Sequence, residues 1–291
     1  MAVQQSDLKN KVCLVTGATG GIGLLTAQAL ASMGGTVVVV SRSAQKCADT
    51  VSQLKLTTAN ANIDYIAGDL SVMSQVKQVA DQFMQRYDRL DVLVNNAGAV
   101  FSSRQLSADG YEMTMALNHL NYFYLTQLLQ GHLLKSAPAR VVNVSSDAHR
   151  TGSINFDDLM SEKKYSSFGV YSMSKLANVL FTNELARRLE DTGVTANSLH
   201  PGFVASGFGK NNGGIWNMVM PIIQLFAISP EKGAETSIYL ASSPEVAGVT
   251  GKYFSKKQAV KATDAAYDQA TQKRLWEVSD ALVKQVMGVT V

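Results

Sequence analysis

The sequence predicts an α/β fold, a single doubly wound parallel β-sheet of about seven strands with helices on both faces. Three observations carry this expectation. Short apolar runs and segments of helical period alternate seven times along the chain. Thr36–Ser41 reads TVVVVS, which suits a parallel strand buried on both faces. No linker, repeat or low-complexity stretch interrupts the alternation, so residues 1–291 are expected to form one domain.

The elements follow in order. Val12–Val15 is the first strand and stops at Thr16-Gly17, after which Ile22–Met33 has helical spacing. Strand Thr36–Ser41 precedes a helix over about 44–57, a strand over about 62–67, a helix over about 72–87 and strand Val92–Val94. A long helix over about 109–135 leads to strand Arg140–Val144, and a helix over about 168–190 leads to strand Val194–Leu199. A helix over about 231–242 and a short strand near Lys252–Phe254 follow, and about 263–288 reads as an amphipathic C-terminal helix. Residues 147–167 and 202–230 are irregular insertions.

Charge is sparse and uneven. Charged residues are 17% and the net charge is +3, with no clustered basic stripe of the kind nucleic acid requires. Residues 12–41 and 92–103 contain no Asp, Glu, Lys or Arg, and from Thr192 to Pro230 the only one is Lys210. Stretches this bare are either buried or lining something. Cys13 and Cys47 make no disulfide framework, and no spacing of ligand residues supports a metal. The start, MAVQQSDLKNK, lacks a signal peptide's apolar segment, and no run of ~18 apolar residues exists to span a membrane. A cytoplasmic, reducing location is the expectation.

Ligands in such sheets bind beyond the carboxyl ends of the strands. At the first strand end stands Thr16-Gly17-Ala18-Thr19-Gly20-Gly21-Ile22-Gly23, a glycine-rich turn opening a helix. Glycine lets backbone amides approach a pyrophosphate, and the helix N-terminus favours negative charge. The second strand ends Ser41-Arg42-Ser43, with no acid to hold a ribose 2′-hydroxyl. Arg42 offers a fork of donors suited to a 2′-phosphate, which favours NADP(H) over NAD(H). Asp69, before Leu70, is placed either to accept from an adenine amino group or to cap a helix. Asn95-Asn96-Ala97-Gly98 ends the fourth strand and Ser145-Ser146 the fifth, with one serine of that pair facing the site. Tyr171 and Lys175, four apart, share a helical face. A free tyrosine titrates near ~10, and a nearby cation such as Lys175 would lower that value.

TGATGGIG, NNAG, the Ser-Ser pair, YSMSK and His200-Pro201-Gly202 resemble, in this order, the short-chain dehydrogenase/reductase family, over about residues 10–255. VVNVSSDAHRTG, KYSSFGVYSMSKLANVLFTNELARRL and SPEKGAETSIYLASSPEVAGVTGKYF resemble its retinol dehydrogenase-like branch, as does the long gap from Ser146 to Tyr171. Protochlorophyllide reductases look less close, since they tend to alter NNAG and carry extra cysteines.

The resemblance implies a Rossmann-type fold and hydride transfer between NADP(H) and an alcohol or carbonyl compound. It implies Tyr171 as proton donor or acceptor, Ser146 as the hydroxyl that stabilises the substrate oxygen, Lys175 as holder of the nicotinamide ribose, and Asn118 as holder of a proton-relaying water. The cofactor contacts it implies are Gly17, Thr19, Gly20, Gly21, Ile22, Gly23, Ser41, Arg42, Asp69, Leu70, Asn95, Ala97, Gly98, Tyr171, Lys175, Pro201, Gly202, Val204 and Ser206, the last where the wider pattern has Thr. Residues 202–230 are expected to cover the substrate, and Trp216, Met218, Met220 and Phe226 suggest a bulky hydrophobic one. Peripheral membrane contact by this segment and the oligomeric state stay open. Rival functions are reduction of a conjugated C=C bond and non-enzymatic NADP(H) sensing.

Overall fold

The structure is a computed structural model, and it describes residues 7–202 and 228–288. Its strands are β1 (Val12–Thr16), β2 (Thr36–Ser41), β3 (Ile63–Ala67), β4 (Val92–Asn95), β5 (Ala139–Val144), β6 (Val194–His200), β7 (Tyr253–Ser255) and β8 (Gln258–Val260). They form one sheet in the order β3-β2-β1-β4-β5-β6-β7-β8. All neighbours from β3 to β7 are parallel, whereas β8 returns antiparallel on β7. The expected parallel sheet therefore carries one further edge strand. Its hairpin turns at Lys256 and Lys257, which both have positive φ, 50° and 64°.

The bare apolar strands read as such because helices cover both faces. Leu14, Val38 and Val40 point to the side packed by α3 (Met73–Arg86), α4 (Asn121–Lys135), α5 (Ser167–Arg188) and α7 (Gln269–Met287). Cys13, Val15, Val37 and Val39 point to the other side, under α1 (Gly21–Ser32), α2 (Ala44–Thr58) and α6 (Pro230–Ser242). Alternation along each strand thus feeds two cores at once. Cys13 and Cys47 are buried, unpaired members of the second.

Side-chain caps set several helix starts. Ser43 accepts from the Lys46 N–H, Ser166 from Gly169, Ser229 from Lys232, and Asp268 from Ala270 and Thr271. The long helix expected from 109 begins later. Asp109 is used to accept from the Met73 N–H at the start of α3, and Leu106 pairs with Glu112 as an isolated bridge. Helical geometry starts at Met113–Met115, widens into a π turn over Ala116–Leu120 and continues as α4. The C-terminal helix likewise starts at Gln269 rather than near 263, after a separate turn at Asp264–Tyr267.

Helix α7 lies against α4 and α5. Trp276 meets Phe123 edge-to-face and Phe181 at a 30° tilt, and the Arg188 guanidinium sits 4.1 Å from its ring centroid. Among the described residues, no helix is long and apolar enough to cross a membrane.

Candidate active site

The glycine-rich turn between β1 and α1 is held by close packing. Gly17 has φ +65°, and a Cβ there would stand 2.8 Å from the Ala97 Cα. A Cβ on Gly23 would stand 2.4 Å from the Gly17 carbonyl oxygen. The Thr16 hydroxyl accepts from the N–H groups of Asn96 and Ala97 at 2.9 and 3.0 Å, and the Asn96 amide donates to the Thr16 carbonyl at 2.8 Å. Thr16 and Asn96 are not among the contacts implied by the sequence. They tie the turn to the end of β4, and the only local sign was a hydroxyl and an amide at neighbouring strand ends. Gly20, at the start of α1, supplies no side-chain cap, and nothing stands within 4 Å of where its Cβ would be. Uncapped helical N–H groups beside a turn packed tightly at Gly17 and Gly23 suit a pyrophosphate.

At the end of β2 the Ser41 and Thr19 hydroxyls meet at 3.0 Å. Arg42 is 80% exposed, and its Nη1 lies 3.9 Å from the Asp69 carboxylate. Asp69 does not cap α3, whose N-cap is Val72; instead it accepts from the N–H and hydroxyl of Ser71. Two expected cofactor contacts turn their side chains elsewhere. Leu70 packs into the core beside α3. The Asn95 amide, fully buried, donates to Thr126 and Asn143, the latter continuing to Thr182. Strand alternation sends Asn95 into the core while Asn96 faces the turn. For both Leu70 and Asn95, only the main chain is left for a ligand.

Gly98 brings the end of β4 against the π turn and α5. A Cβ there would stand 3.1 Å from Asn118 Oδ1 and 3.6 Å from Lys175 Nζ. Asn118 Oδ1 accepts from the Ala99 N–H at 2.8 Å, and its Nδ2 donates to the Ala99 carbonyl and to the Ser174 hydroxyl. Its side chain is thus spent on holding the 98–99 backbone beside α5.

The serine pair divides its work. Ser145 donates to the Lys175 carbonyl at 2.7 Å, whereas the Ser146 hydroxyl accepts from the Ala148 N–H at 3.2 Å and faces the Tyr171 phenol. Lys175 is buried; its Nζ donates to the Val144 carbonyl at 3.1 Å and lies 5.7 Å from the centroid of the Tyr171 ring. Burial pushes the Tyr171 phenol up to about 12, with the neighbouring Ser146 hydroxyl pulling the other way. Burial brings the Lys175 ammonium down to about 7. The expected lowering of the tyrosine by the lysine is not found. Desolvation dominates both groups, and the ammonium is directed at Val144 rather than at the phenol oxygen.

At the end of β6, Gly202 has φ +92°, and a Cβ there would stand 2.4 Å from Ile228 Cδ1. Pro201 and Gly202 close the described part of this edge. Val204 and Ser206 lie outside the described residues, as do Trp216, Met218, Met220, Phe226 and nearly all of the segment expected to cover the substrate. Thr19, Gly20, Ser41, Arg42, Gly98, Ser146, Tyr171, Lys175 and Pro201 all sit at or just beyond the carboxyl ends of neighbouring strands.

A model of the short chain dehydrogenase family matches residues 11–213. Retinol dehydrogenase 14 of Homo sapiens is 40% identical over 293 residues, spanning 95% of this chain and 87% of that protein. Among solved structures, an uncharacterized protein from Mycobacterium Paratuberculosis superposes with a TM-score of 0.79 at 31% identity, covering 98% of this chain and 97% of that one. The RhlG protein of Pseudomonas aeruginosa, solved as an NADP active-site complex, superposes with a TM-score of 0.68 at 29% identity, covering 85% and 95%.

Proposed function

The chain belongs to the short chain dehydrogenase family and is an oxidoreductase of CH–OH and C=O groups; from that premise we propose that it works with NADP(H) on a bulky hydrophobic alcohol or carbonyl compound. The observation that carries the reading is the convergence of Ser146 and Tyr171 on buried Lys175, whose Nζ lies 5.7 Å from the centroid of the Tyr171 ring.

The cradle of Gly17 and Gly23 and the uncapped start of α1 fit a dinucleotide pyrophosphate. Arg42, with Ser41, would hold the 2′-phosphate, and exposure leaves its guanidinium free to swing from Asp69 to a better anion. Pro201 and Gly202 would meet the nicotinamide carboxamide through their backbone. When bound, the cofactor supplies or accepts the hydride. In the reducing direction the Tyr171 hydroxyl gives its proton to the substrate oxygen, and the Ser146 hydroxyl hydrogen-bonds the same oxygen as charge develops on it. Lys175, one helical turn away, would hold the nicotinamide ribose through its Nζ. Because its ammonium comes down to about 7, this lysine changes charge close to neutral pH.

The substrate class follows from the retinol dehydrogenase relative and from the apolar residues of 203–230. Incubation with NADPH and a panel of long-chain aldehydes, ketones, enones and chlorins tests it. Turnover of bulky aldehydes or ketones is expected. Reduction of conjugated C=C bonds without carbonyl turnover would replace this reading with that of a double-bond reductase.

A further inference from the structure

The peptide unit that follows Ser146 is gripped at both ends by imidazole rings. Its carbonyl, Ser146 O, lies 2.7 Å from His149 Nδ1 and also accepts from the His149 N–H at 3.0 Å. Its N–H, on Asp147, donates to His200 Nδ1 at 3.2 Å. A carbonyl can only accept and an amide N–H can only donate, so the two rings must differ. His149 carries its proton on Nδ1, and its bare Nε2 accepts from the Thr263 N–H at 3.2 Å. His200 has a bare Nδ1 and carries its proton on Nε2, 3.4 Å from Asp147 Oδ2.

The surroundings hold this arrangement in place. The Asp147 carboxylate also accepts from the Tyr253 hydroxyl at 3.0 Å and lies 3.5 Å from Arg150 Nε. The Tyr253 ring packs on His149 with centroids 4.5 Å apart. His149 is fully buried, and His200 immediately precedes Pro201-Gly202.

We propose that His149 and His200 are positioning residues that clamp the Ser146–Asp147 peptide from opposite ends, each as a fixed and opposite neutral tautomer. The clamp sets the direction of the Ser146 hydroxyl. Through His200 it also ties the end of β5 to the end of β6, where the nicotinamide is to be held. A second proton on His200 Nδ1 would place a donor against the Asp147 N–H and break the clamp, whereas one on His149 Nε2 would break the tie to the Thr263 N–H that holds this ring in place. The charged and titratable groups facing the pair among the described residues are Asp147, Arg150, Tyr253 and each other; burial outweighs Asp147 and keeps both imidazoles below their ordinary range.

This inference rests on Ser146 being the hydroxyl that meets the substrate oxygen, and the test separates the two. The full chain is labelled with ¹⁵N-histidine, and the imidazole nitrogens are followed from about pH 5 to 8, where an ordinary histidine titrates near ~6.5. The expected spectra show His149 protonated on Nδ1 and His200 on Nε2, both neutral at pH 6.5. In parallel, His200→Asn keeps an acceptor where Nδ1 stood, and His200→Leu removes it. The leucine variant is expected to lose about tenfold in kcat, the worth of one hydrogen bond. Its KM, and its NADPH affinity by cofactor fluorescence, should change little, and the asparagine variant should recover most of the loss. Protonation of His200 on Nδ1, an imidazolium at pH 7, or equal kcat for the two variants would overturn the clamp. If the wild-type chain reduces no carbonyl compound, the assigned function fails, and the spectra still decide the clamp.

Discussion

Ser145 binds the backbone of the helix that carries the lysine, through a 2.7 Å hydrogen bond to the Lys175 carbonyl, while its neighbour Ser146 accepts from the Ala148 N–H and faces Tyr171. The two adjacent hydroxyls therefore predict different phenotypes. Ser145→Ala should cost about 1 kcal/mol of stability in urea denaturation, a typical net worth for one such bond, with most activity retained. Ser146→Ala also removes the acceptor of the Ala148 N–H at 3.2 Å, so it should cost a similar ~1 kcal/mol of stability, but in addition it should lower kcat by about 10²-fold, as loss of a donor to a developing oxyanion does. Equal kinetic losses would contradict the division.

Tyr171→Phe removes one oxygen and keeps the packing. The expected loss in kcat is about 10²–10⁴-fold, the usual contribution of a positioned acid, with NADPH affinity little changed. A variant that keeps full turnover would refute the assigned proton donor.

Arg42 projects into solvent with Asp69 as its nearest anion, at 3.9 Å. Arg42→Asp should weaken NADPH binding by about two orders of magnitude, since it removes a charge-assisted pair and adds repulsion, and should barely alter NADH binding. Fluorescence titration with both cofactors decides the point. Equal losses for the two would exclude Arg42 from the 2′-phosphate site.

Stability should rise with pH from neutral upward. Lys175 is down at about 7 in the fold, against ~10.4 in an unfolded chain. Between these values the unfolded chain holds the extra proton, so this contribution is least below pH 7 and grows as pH rises towards 10. Tyr171, up at about 12 in the fold, acts oppositely, but only above pH ~10, where an unfolded tyrosine loses its proton. From pH 7 to 9, urea unfolding of the wild type should gain up to about 1.4 kcal/mol per pH unit relative to Lys175→Met. A pH-independent difference between the two would show that Lys175 is not held neutral by burial.

The order of strands and helices was legible because two covered faces leave long charge-free runs such as Thr36–Ser41. Arg42 stood out as the first charge after that bareness. What escaped the sequence depended on distant partners. The long helix starts at Met113 because Asp109 serves α3, and its π turn accompanies an Asn118 side chain bonded to Ala99 and Ser174. Strand β8 has three exposed residues and no apolar period to reveal it. Asn95 belongs to a buried amide and hydroxyl chain with Asn143 and Thr182, and only the register of β4 on β5 shows this. The peptide that His149 and His200 share, 51 positions apart in the chain, could not be seen from their spacing.

The joint of Thr16 with Asn96 spans 80 positions of chain. During synthesis, the side of β1 destined for Val92–Val94 has no partner until those residues leave the ribosome. At roughly 5–20 residues per second, that is about 4–16 s with an apolar strand edge bare. The glycine-rich turn is thus completed late by a segment made long after it, and a nascent chain halted between β1 and β4 would present the cell with a sticky fragment whose turn is unbraced.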